Sequence, residues 1–290
     1  EKSSHGDIYQ NTFGINSYVE MSNSDNIRVR ENQFNTYLVS YYGTSNTIEK
    51  NTFVLPNPKG RTSGSIALQY GSHNIVRNNN IDGGAKGIFE DDNGVDDGIV
   101  IIDEHDDTVD SNFIKNVWDC GIETDGIITN TVFNSNSSTN SGLCGIGAWY
   151  HSSWLNNTVS NNTFENTEQP FLFFRSYGFR PVGFDNKKLM PADTVAYFKG
   201  NTFSKNTFKN PRSTSHYQYY INIGLPSTLS EIPGERMPTE SDFVTGNNIF
   251  SGNNLGPLTP LSFSPATIVV DGGGNICPAG ADTNFPLRCN

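Results

Sequence analysis

Apolar and polar positions follow a short phrase that the chain repeats. The phrase is clearest in Asn157-Thr-Val-Ser-Asn-Asn-Thr-Phe164, and it returns in residues 46–53 and 201–208. Its third and eighth residues are apolar, and polar residues lie between them. This pattern predicts two short strands that flank a bend, rather than the 3.6-residue period of a helix. Looser copies occupy residues 74–81 and 107–114.

The phrase recurs about every 20 residues in the first part of the chain, for example from Phe13 to Phe34 and on to Phe53. A unit of that length cannot close a core of its own, but it can form one rung of a coil that stacks on the next rung. One Asn per rung would then pair its side-chain amide with the amides above and below, and Thr131 would interrupt this ladder. The expected ladder contains Asn11, Asn32, Asn51, Asn79, Asn112, Asn162, Asn206 and Asn247.

The phrase, written N-x-[IV]-x-x-N-x-[FI] and present once per rung, resembles the repeat of right-handed parallel β-helix proteins of the pectate-lyase-like superfamily. The resemblance covers about residues 5–255. It implies an all-β, single-stranded right-handed parallel β-helix, a solenoid of about eight or nine rungs. Many proteins of this kind are secreted polysaccharide lyases or hydrolases, and others are bacterial surface proteins, because one fold hosts many functions.

The same reading divides the chain into a β-helix over residues 1–255 and a C-terminal tail or cap over residues 256–290. We expect Cys277 and Cys289 to clip the tail together. The spacing of the phrase doubles after Phe164, which predicts long loop insertions in the C-terminal half. Such loops either carry binding or only shield the sheet. The chain opens almost directly in a rung, which favours its being the later part of a longer protein; whether residues precede Glu1 is left open.

Three similar strands, in residues 98–103, 121–125 and 145–150, carry most of the chemical information. Side chains alternate across a strand, so Ile99, Ile122 and Ile146 are expected to stack inward, while Glu123 and Asp125 point outward. The candidate catalytic residues on this outer face are Asp103, Glu104, His105, Glu123 and Asp125. The candidate substrate-binding residues are Tyr41, Tyr70, Trp149, Tyr150, His151 and Arg175.

Carboxylates flanked by aromatic rings suit a sugar chain, since the rings offer flat apolar platforms and the carboxylates do acid–base work. Neighbouring rungs lie about 4.8 Å apart, so carboxylates on adjacent rungs approach the ~5–5.5 Å separation of retaining glycosidases, and a two-rung separation suits inversion. The alternative is a solvated acidic face with structural tyrosine stacks, which prevents non-specific association of the solenoid.

The segment around residues 90–97 clusters further carboxylates: Asp91, Asp92, Asp96 and Asp97. Clustered carboxylate oxygens suit calcium, although their spacing matches no calcium loop. No cofactor is otherwise required.

Cys120 and Cys144 precede the Gly-Ile of successive strands, which predicts one shared inward position. Stacked rungs bring their Cα atoms within disulfide range, but parallel side chains make the torsion awkward, so the bond is left open. Disulfides would indicate an oxidising compartment, extracellular or at the cell surface.

A net charge of −11 disfavours nucleic acid or an anionic membrane as partner. No apolar run approaches the ~20 residues that span a bilayer. Two functions follow. The first is a secreted or cell-surface β-helix that binds and cleaves a polysaccharide, as hydrolase or lyase. The second is a non-catalytic adhesive or fibre module, and end-to-end self-association of rungs is compatible with either.

Overall fold

The computed structural model describes residues 3–15, 18–54, 64–85, 94–173, 196–212, 221–224, 243–255, 261–264, 269–277 and 287–288. All regular elements within these residues are strands, which confirms the expected all-β class. The first ten are β1 Ser3–Tyr9, β2 Thr12–Phe13, β3 Val19–Ser22, β4 Ser24–Arg30, β5 Gln33–Phe34, β6 Leu38–Tyr41, β7 Thr47–Glu49, β8 Thr52–Val54, β9 Ile66–Gln69 and β10 Ile75–Arg77. The next ten are β11 Asn80–Asp82, β12 Ile99–Ile102, β13 Thr108–Asp110, β14 Phe113–Lys115, β15 Cys120–Thr129, β16 Val132–Asn134, β17 Ser137–Thr139, β18 Cys144–Leu155, β19 Thr158–Ser160 and β20 Thr163–Glu165. The last nine are β21 Gln169–Phe173, β22 Ala196–Lys199, β23 Thr202–Ser204, β24 Thr207–Lys209, β25 Ile221–Gly224, β26 Phe243–Gly246, β27 Asn248–Ser251, β28 Leu261–Ser264 and β29 Val269–Asp271.

These strands form three parallel sheets that run along the molecule. Sheet 1 has the order β1-β4-β7-β10-β13-β16-β19-β23-β27-β29, and sheet 2 the order β2-β5-β8-β11-β14-β17-β20-β24. Sheet 3 has the order β28-β25-β21-β18-β15-β12-β9-β6-β3, with β22 and β26 attached at β18. Successive turns of the chain add parallel strands to the three sheets, so the fold is the expected parallel β-helix. The two strands of the repeated phrase belong to sheets 1 and 2.

Sheet 1 turns into sheet 2 at an asparagine ladder. The Nδ2 of Asn79 donates to the Oδ1 of Asn112 at 2.9 Å, and the Nδ2 of Asn112 donates to the Oδ1 of Asn136 at 3.0 Å. The residue before each ladder Asn adopts a positive φ, as at Asn78 and Ser111, which turns the chain sharply. The ladder contains Asn11, Asn32, Asn51, Asn79, Asn112, Asn136, Asn162, Asn206, Asn253 and Asn275.

A second polar column lies five residues earlier in each rung, where sheet 3 turns into sheet 1. Backbone N–H groups donate to the side chain of the next rung in the order Asn46, Asn74, Asp107, Thr131, Asn157, Asn201 and Asn248. Two expectations are therefore wrong. Thr131 interrupts this second column and not the first, where Asn136 completes the ladder. Asn247 is an exposed residue with a φ of 54°. The reason is that both halves of the phrase read Asn-x-apolar, so the repeat can be displaced by half its length.

The core consists of apolar residues stacked from rung to rung. Phe34 stacks on Phe53 with ring centroids 4.6 Å apart, and Phe203 stacks on Phe250 at 4.4 Å. Offset aromatic stacks of this kind add to the free energy gained by burial. The repeated Phe therefore shares the core beside sheets 1 and 2 with Val and Ile at equivalent positions, such as Val76 and Val109.

Cys120 and Cys144 are joined by a disulfide with a Cα–Cα distance of 4.4 Å. The bond lies on the outer side of sheet 3, and the expected inward position is wrong. A Cβ built on the outward-facing Gly147 would lie 2.7 Å from the Cys144 Sγ and 3.3 Å from the Cys120 Sγ. The inward place is taken by the following glycines, since a Cβ on Gly121 would lie 2.2 Å from the Ser138 Oγ.

The coiling continues past residue 255, where the sequence placed the end of the solenoid. β28 pairs with β25, β29 pairs with β27, and Asn275 extends the first ladder. Cys277 is disulfide-bonded, and its expected partner Cys289 lies outside the described residues. No helix in the described part of the chain is long and apolar enough to cross a membrane.

Candidate functional site

The outer side of sheet 3 carries the acidic and aromatic residues that the alternation predicts. Glu123 pairs in register with Val100 and Gly147, and Asp125 pairs with Ile102 and Trp149. The residues between them, such as Thr124 and Ala148, are fully buried in the core. We call the outward set Tyr41, Tyr42, Tyr70, Asp103, Glu123 and Asp125 the acidic–aromatic face.

A column of left-handed residues ends the strands of this face. Tyr42, Tyr70, Asp103 and Gly126 have φ values of 54°, 63°, 51° and 69°. The N–H of Tyr70 donates to the carbonyl of Ile102 at 2.9 Å, and the N–H of Asp103 donates to that of Asp125 at 3.1 Å. The Tyr42 and Tyr70 rings stack with centroids 5.3 Å apart. The corner thus presents two stacked tyrosines followed by a carboxylate.

A pocket of about 370 Å³ opens beside this column, lined by Tyr70, Gly71, Asp103, Glu104, His105, Ile127 and Thr129. The Oδ1 of Asp103 accepts a hydrogen bond from the N–H of Ile127 at 2.9 Å. The structure therefore brings four of the sequence-derived candidates, Tyr70, Asp103, Glu104 and His105, to one pocket.

Glu104 forms the floor of the pocket. The bridge series Thr44, Ser72, His105 and Thr129 fixes the register, so Glu104 stands where earlier rungs have Gly43 and Gly71. Its side chain turns inward and only 1% of the residue is exposed. Its Oε1 accepts the N–H of Gly71 at 2.7 Å, and its Oε2 accepts the Nδ2 of Asn74 at 3.0 Å.

Asp107 is the buried neighbour of Glu104 and an acid within the second polar column. Its Oδ1 accepts the N–H of Asn74 at 2.7 Å. Burial, reinforced by the charge of Asp107, raises the pKa of Glu104 to about 9. Burial also raises the pKa of Asp107 to about 6. The pair therefore retains a proton at neutral pH, as two acids in one desolvated site must.

A second acidic group lies near the beginning of strands β12 and β15 of sheet 3. Asp97, Asp119 and Glu123 each offer a carboxylate oxygen, and these atoms lie within 4.8 Å of one another. Burial, followed by the charge of Asp119 and then Asp96, raises the pKa of Asp97. Burial and the charge of Asp97 likewise raise the pKa of Glu123. Of the four aspartates expected to bind calcium, Asp97 belongs to this group and the charge of Asp96 acts on it, while Asp91 and Asp92 lie outside the described residues.

The remaining sequence candidates are placed in part. Tyr41 ends β6, where burial and the nearby Glu20 raise the pKa of its hydroxyl. Trp149, Tyr150 and His151 belong to β18, but their side chains are not among the described ones. β18 is longer than β15 at this point, because Asp125 pairs with Trp149 and Ile127 pairs with Ser153. Arg175 lies outside the described residues.

Sequence reasoning missed Asp107 and Asp119, the acidic partners of Glu104 and Asp97. A signal for the first existed in the repeat. Asp107 replaces the Asn that begins most copies of the phrase, and Glu104, three residues before it, replaces a glycine. Aligning whole rungs rather than the phrase alone would have shown both departures.

The class of protein is defined by the three parallel sheets, their asparagine ladders and the turn-by-turn register. A family model described as "right handed beta helix region" matches residues 17–208. The chain therefore belongs to the right-handed β-helix family, which confirms the expected fold and its handedness. A comparison with curated protein sequences gives no significant match.

Several solved structures resemble the chain. Endo-xylogalacturonan hydrolase from Aspergillus tubingensis is 12% identical, with a TM-score of 0.58 over 94% of this chain and 67% of the hydrolase. The Dettilon tailspike protein is 15% identical, with a TM-score of 0.42 over 91% of this chain and 50% of the tailspike. A mannuronic acid specific polysaccharide family 6 lyase from human gut microbiota is 13% identical, with a TM-score of 0.30 over 86% of this chain and 74% of the lyase. At these identities the likeness establishes the fold alone.

Proposed function

We propose that this protein is a carbohydrate-active β-helix that binds an extended polysaccharide along the acidic–aromatic face and cleaves it at the pocket, as a hydrolase or a lyase. The observation that carries the proposal is the pair of acidic departures from the repeat. Glu104 and Asp107 replace a glycine and an asparagine in the same rung, and Glu104 lines the pocket. Buried acids cost folding free energy, and departures of this kind concentrate at functional sites.

The stacked rings of Tyr42 and Tyr70 supply the binding platform. Tyr42 is 45% exposed, so the apolar face of a sugar ring can lie against it. An oligosaccharide that follows the solenoid axis would then pass from this platform over Asp103 and Asp125. This proposal includes the expected contacts of the same oligosaccharide with four further residues: Trp149, Tyr150, His151 and Arg175.

Cleavage of a glycosidic bond needs one group that gives a proton and another that takes one. Glu104 keeps its proton at neutral pH because its pKa is raised to about 9. In this proposal Glu104 protonates the leaving oxygen, with Asp107 behind it. Asp103, half-buried at the pocket wall, is the carboxylate partner, and Asp125 or Glu123 on the next rung is the alternative partner.

A second function is favoured by one specific observation. Both oxygens of Glu104 already accept hydrogen bonds from the preceding rung, at 2.7 Å and 3.0 Å, and the residue is almost fully buried. A carboxyl group engaged in this way stabilises the corner without meeting a substrate. The protein would then be a non-catalytic surface module that binds glycans through its tyrosines.

One assay separates the two functions. The chain is incubated with neutral and acidic polysaccharides, and new reducing ends and unsaturated products are measured beside binding. Asp103→Asn and Glu104→Gln should each lower turnover by at least about 100-fold while binding is kept. Asp110→Asn, a carboxylate of the same rung on sheet 1, is the matched control and should leave turnover unchanged.

Binding without any product would support the module and contradict the catalytic proposal. Absence of both binding and product across the panel would contradict the carbohydrate assignment itself. An extracellular or cell-surface location is part of the same proposal, because extended glycans occur there and the Cys120–Cys144 disulfide is typical of oxidising compartments.

A further inference from the structure

We propose that His73, His105 and Asp106 form a site for a first-row divalent transition metal of the zinc type, on the exposed corner beside the pocket. Each of the three residues offers one ligand atom, and these atoms lie within 4.8 Å of one another. The site is distinct from the acidic group formed by Asp97, Asp119 and Glu123, and it does not depend on the proposed carbohydrate chemistry.

The closest pair already has nearly the spacing that a shared metal requires. The Nδ1 of His105 lies 2.7 Å from the Oδ2 of Asp106. Two ligands at about 2.1 Å from one metal are roughly 3.0–3.4 Å apart for angles between square and tetrahedral. The metal would thus replace the proton that joins these two atoms, after a small outward rotation. Their side chains are 53% and 37% exposed, so nothing in the core has to move.

The third ligand comes from the preceding rung. The His73 and His105 rings meet edge to face with centroids 5.9 Å apart. The N–H of His73 donates to the carbonyl of His105 at 3.0 Å, so the parallel ladder fixes one backbone against the other. His73 and Asp106 have φ values of 56° and 59°. They are consecutive members of a second column of residues with positive φ, which includes Asn130, and they lie at the same corner of the solenoid.

A neighbouring side chain orients the carboxylate. The Nδ2 of Asn130, the next residue of the column, donates to the Oδ1 of Asp106 at 3.1 Å. This hydrogen bond holds the carboxylate with its Oδ2 directed toward His105. Outer partners of this kind hold metal ligands in position and increase metal affinity.

The donor set selects the class of metal. Two imidazoles and one carboxylate suit zinc, nickel, copper or iron, whereas calcium and magnesium prefer oxygen ligands alone. Three protein ligands at an exposed corner leave at least one coordination position for water, as in open zinc sites. Because His105 also lines the pocket, such a position lies at the pocket rim.

The column supplies substitutions that suit its own backbone. Other rungs place Asn26, Asn130 and Asn156 at the same left-handed position, so His73→Asn and Asp106→Asn introduce residues that the corner accepts. Ser72 stands in register with His105, so His105→Ser also introduces a residue that this backbone position accepts. Unchanged melting temperatures in the absence of metal would verify that each variant folds.

The test is a calorimetric titration of the full chain, first freed of metal by a chelator, with zinc chloride. We expect one saturable Zn²⁺ equivalent per chain and an affinity at least about tenfold weaker in each of the three variants. His5→Asn is the matched control, since His5 is exposed with a φ of 73° and lies outside the cluster. It should bind like the wild type. A cobalt titration should give visible d–d bands that His73→Asn abolishes.

Absence of saturable zinc binding would overturn the proposal. So would three variants that bind zinc as the wild type does, or zinc that excess calcium displaces, because either result would place the metal elsewhere.

Discussion

The side-chain amide of asparagine stabilises each corner because it both donates and accepts along the rung direction. Asn112 accepts hydrogen bonds from the N–H and Nδ2 of Asn79 at 3.0 Å and 2.9 Å. It donates to the carbonyl of Val76 at 2.9 Å and to Asn136 at 3.0 Å. No aliphatic residue of similar size can satisfy four buried partners, so the corner requires this amide.

Asn112→Leu is therefore expected to lower the free energy of unfolding by at least about 3 kcal/mol, since several buried groups lose their partners at about 1–3 kcal/mol each. Urea unfolding followed by circular dichroism measures the change. Asn80→Leu makes the same chemical change at an exposed strand position and should cost less than about 1 kcal/mol. Equal midpoints for Asn112→Leu and the wild type would show that the ladder contributes no stability.

The Glu104–Asp107 pair makes stability depend on pH. The folded chain holds the Glu104 proton up to a pKa of about 9, whereas the ordinary value is 4.5. The unfolded chain releases that proton first, so the stability that this proton contributes is fully present below about pH 4.5 and falls as the pH rises toward 9, by at most about 1.4 kcal/mol per pH unit. Asp107, with a pKa raised from 3.8 to about 6, acts in the same direction over the lower part of this range.

Glu104→Gln should flatten this decline between about pH 6 and 9, because the amide carries no proton to lose. Denaturant unfolding at several pH values measures it, and Asp110→Asn should keep the wild-type slope. A wild-type stability that rises with pH across this window would refute the buried protonated pair.

At the scale of the element, three glycines set the entry to the strands of sheet 3. A Cβ on Gly98 would lie 2.4 Å from Ile114, and one on Gly145 would lie 2.1 Å from the Phe164 ring. The glycines let the chain pass close to sheet 2. Gly121 and Gly145 also take an inward place, which displaces the preceding Cys120 and Cys144 to the outer side.

Gly145→Ala should destabilise the fold by about 1–3 kcal/mol, the usual cost of inserting a methyl group into a filled core. Gly14→Ala is the matched control, because a Cβ there meets nothing within 4 Å. Thermal unfolding of the two variants gives the comparison. If both melt together, the space beside Phe164 is larger than the contacts indicate.

At the scale of the whole molecule, part of the acidic excess behind the formal charge of −11 lies on sheet 3 and at its corner, in buried or half-buried side chains. Glu104, Asp107, Asp97 and Glu123 all have raised pKa values, with burial as the largest cause. A divalent cation would offset the repulsion among Asp97, Asp119 and Glu123. The calcium site expected near Asp96 and Asp97 therefore has a physical basis, and it stays a prediction.

Millimolar calcium should raise the melting temperature of the wild type, and Asp97→Asn should abolish most of that increase. The control is Asp7→Asn, which removes an exposed carboxylate outside the group. Calcium that leaves the wild-type melting temperature unchanged would exclude a stabilising site there.

The sequence by itself determined the architecture, because a solenoid is built from contacts between equivalent residues of successive rungs. Phe34, Phe53 and Asn51 contact their own counterparts about 20 residues away, so a local pattern is enough to predict them. The alternation in residues 121–125 likewise placed Glu123 and Asp125 on the outer face, since the strand period is two.

Only the tertiary structure decided which side chains meet at the corners between the sheets, and in which direction they point. Glu104 occurs in a polar stretch beside Asp103 and His105, and its inward direction depends on the glycine position that it replaces in the rung. The contacts of Glu104 with Asp107, and of His73 with His105 and Asp106, depend on how neighbouring rungs are aligned. The sequence does not specify this alignment, because the repeat can be displaced by half its length. The structure also decided the side of sheet 3 on which the Cys120–Cys144 disulfide lies, because a bend at Gly121 turns Cys120 outward.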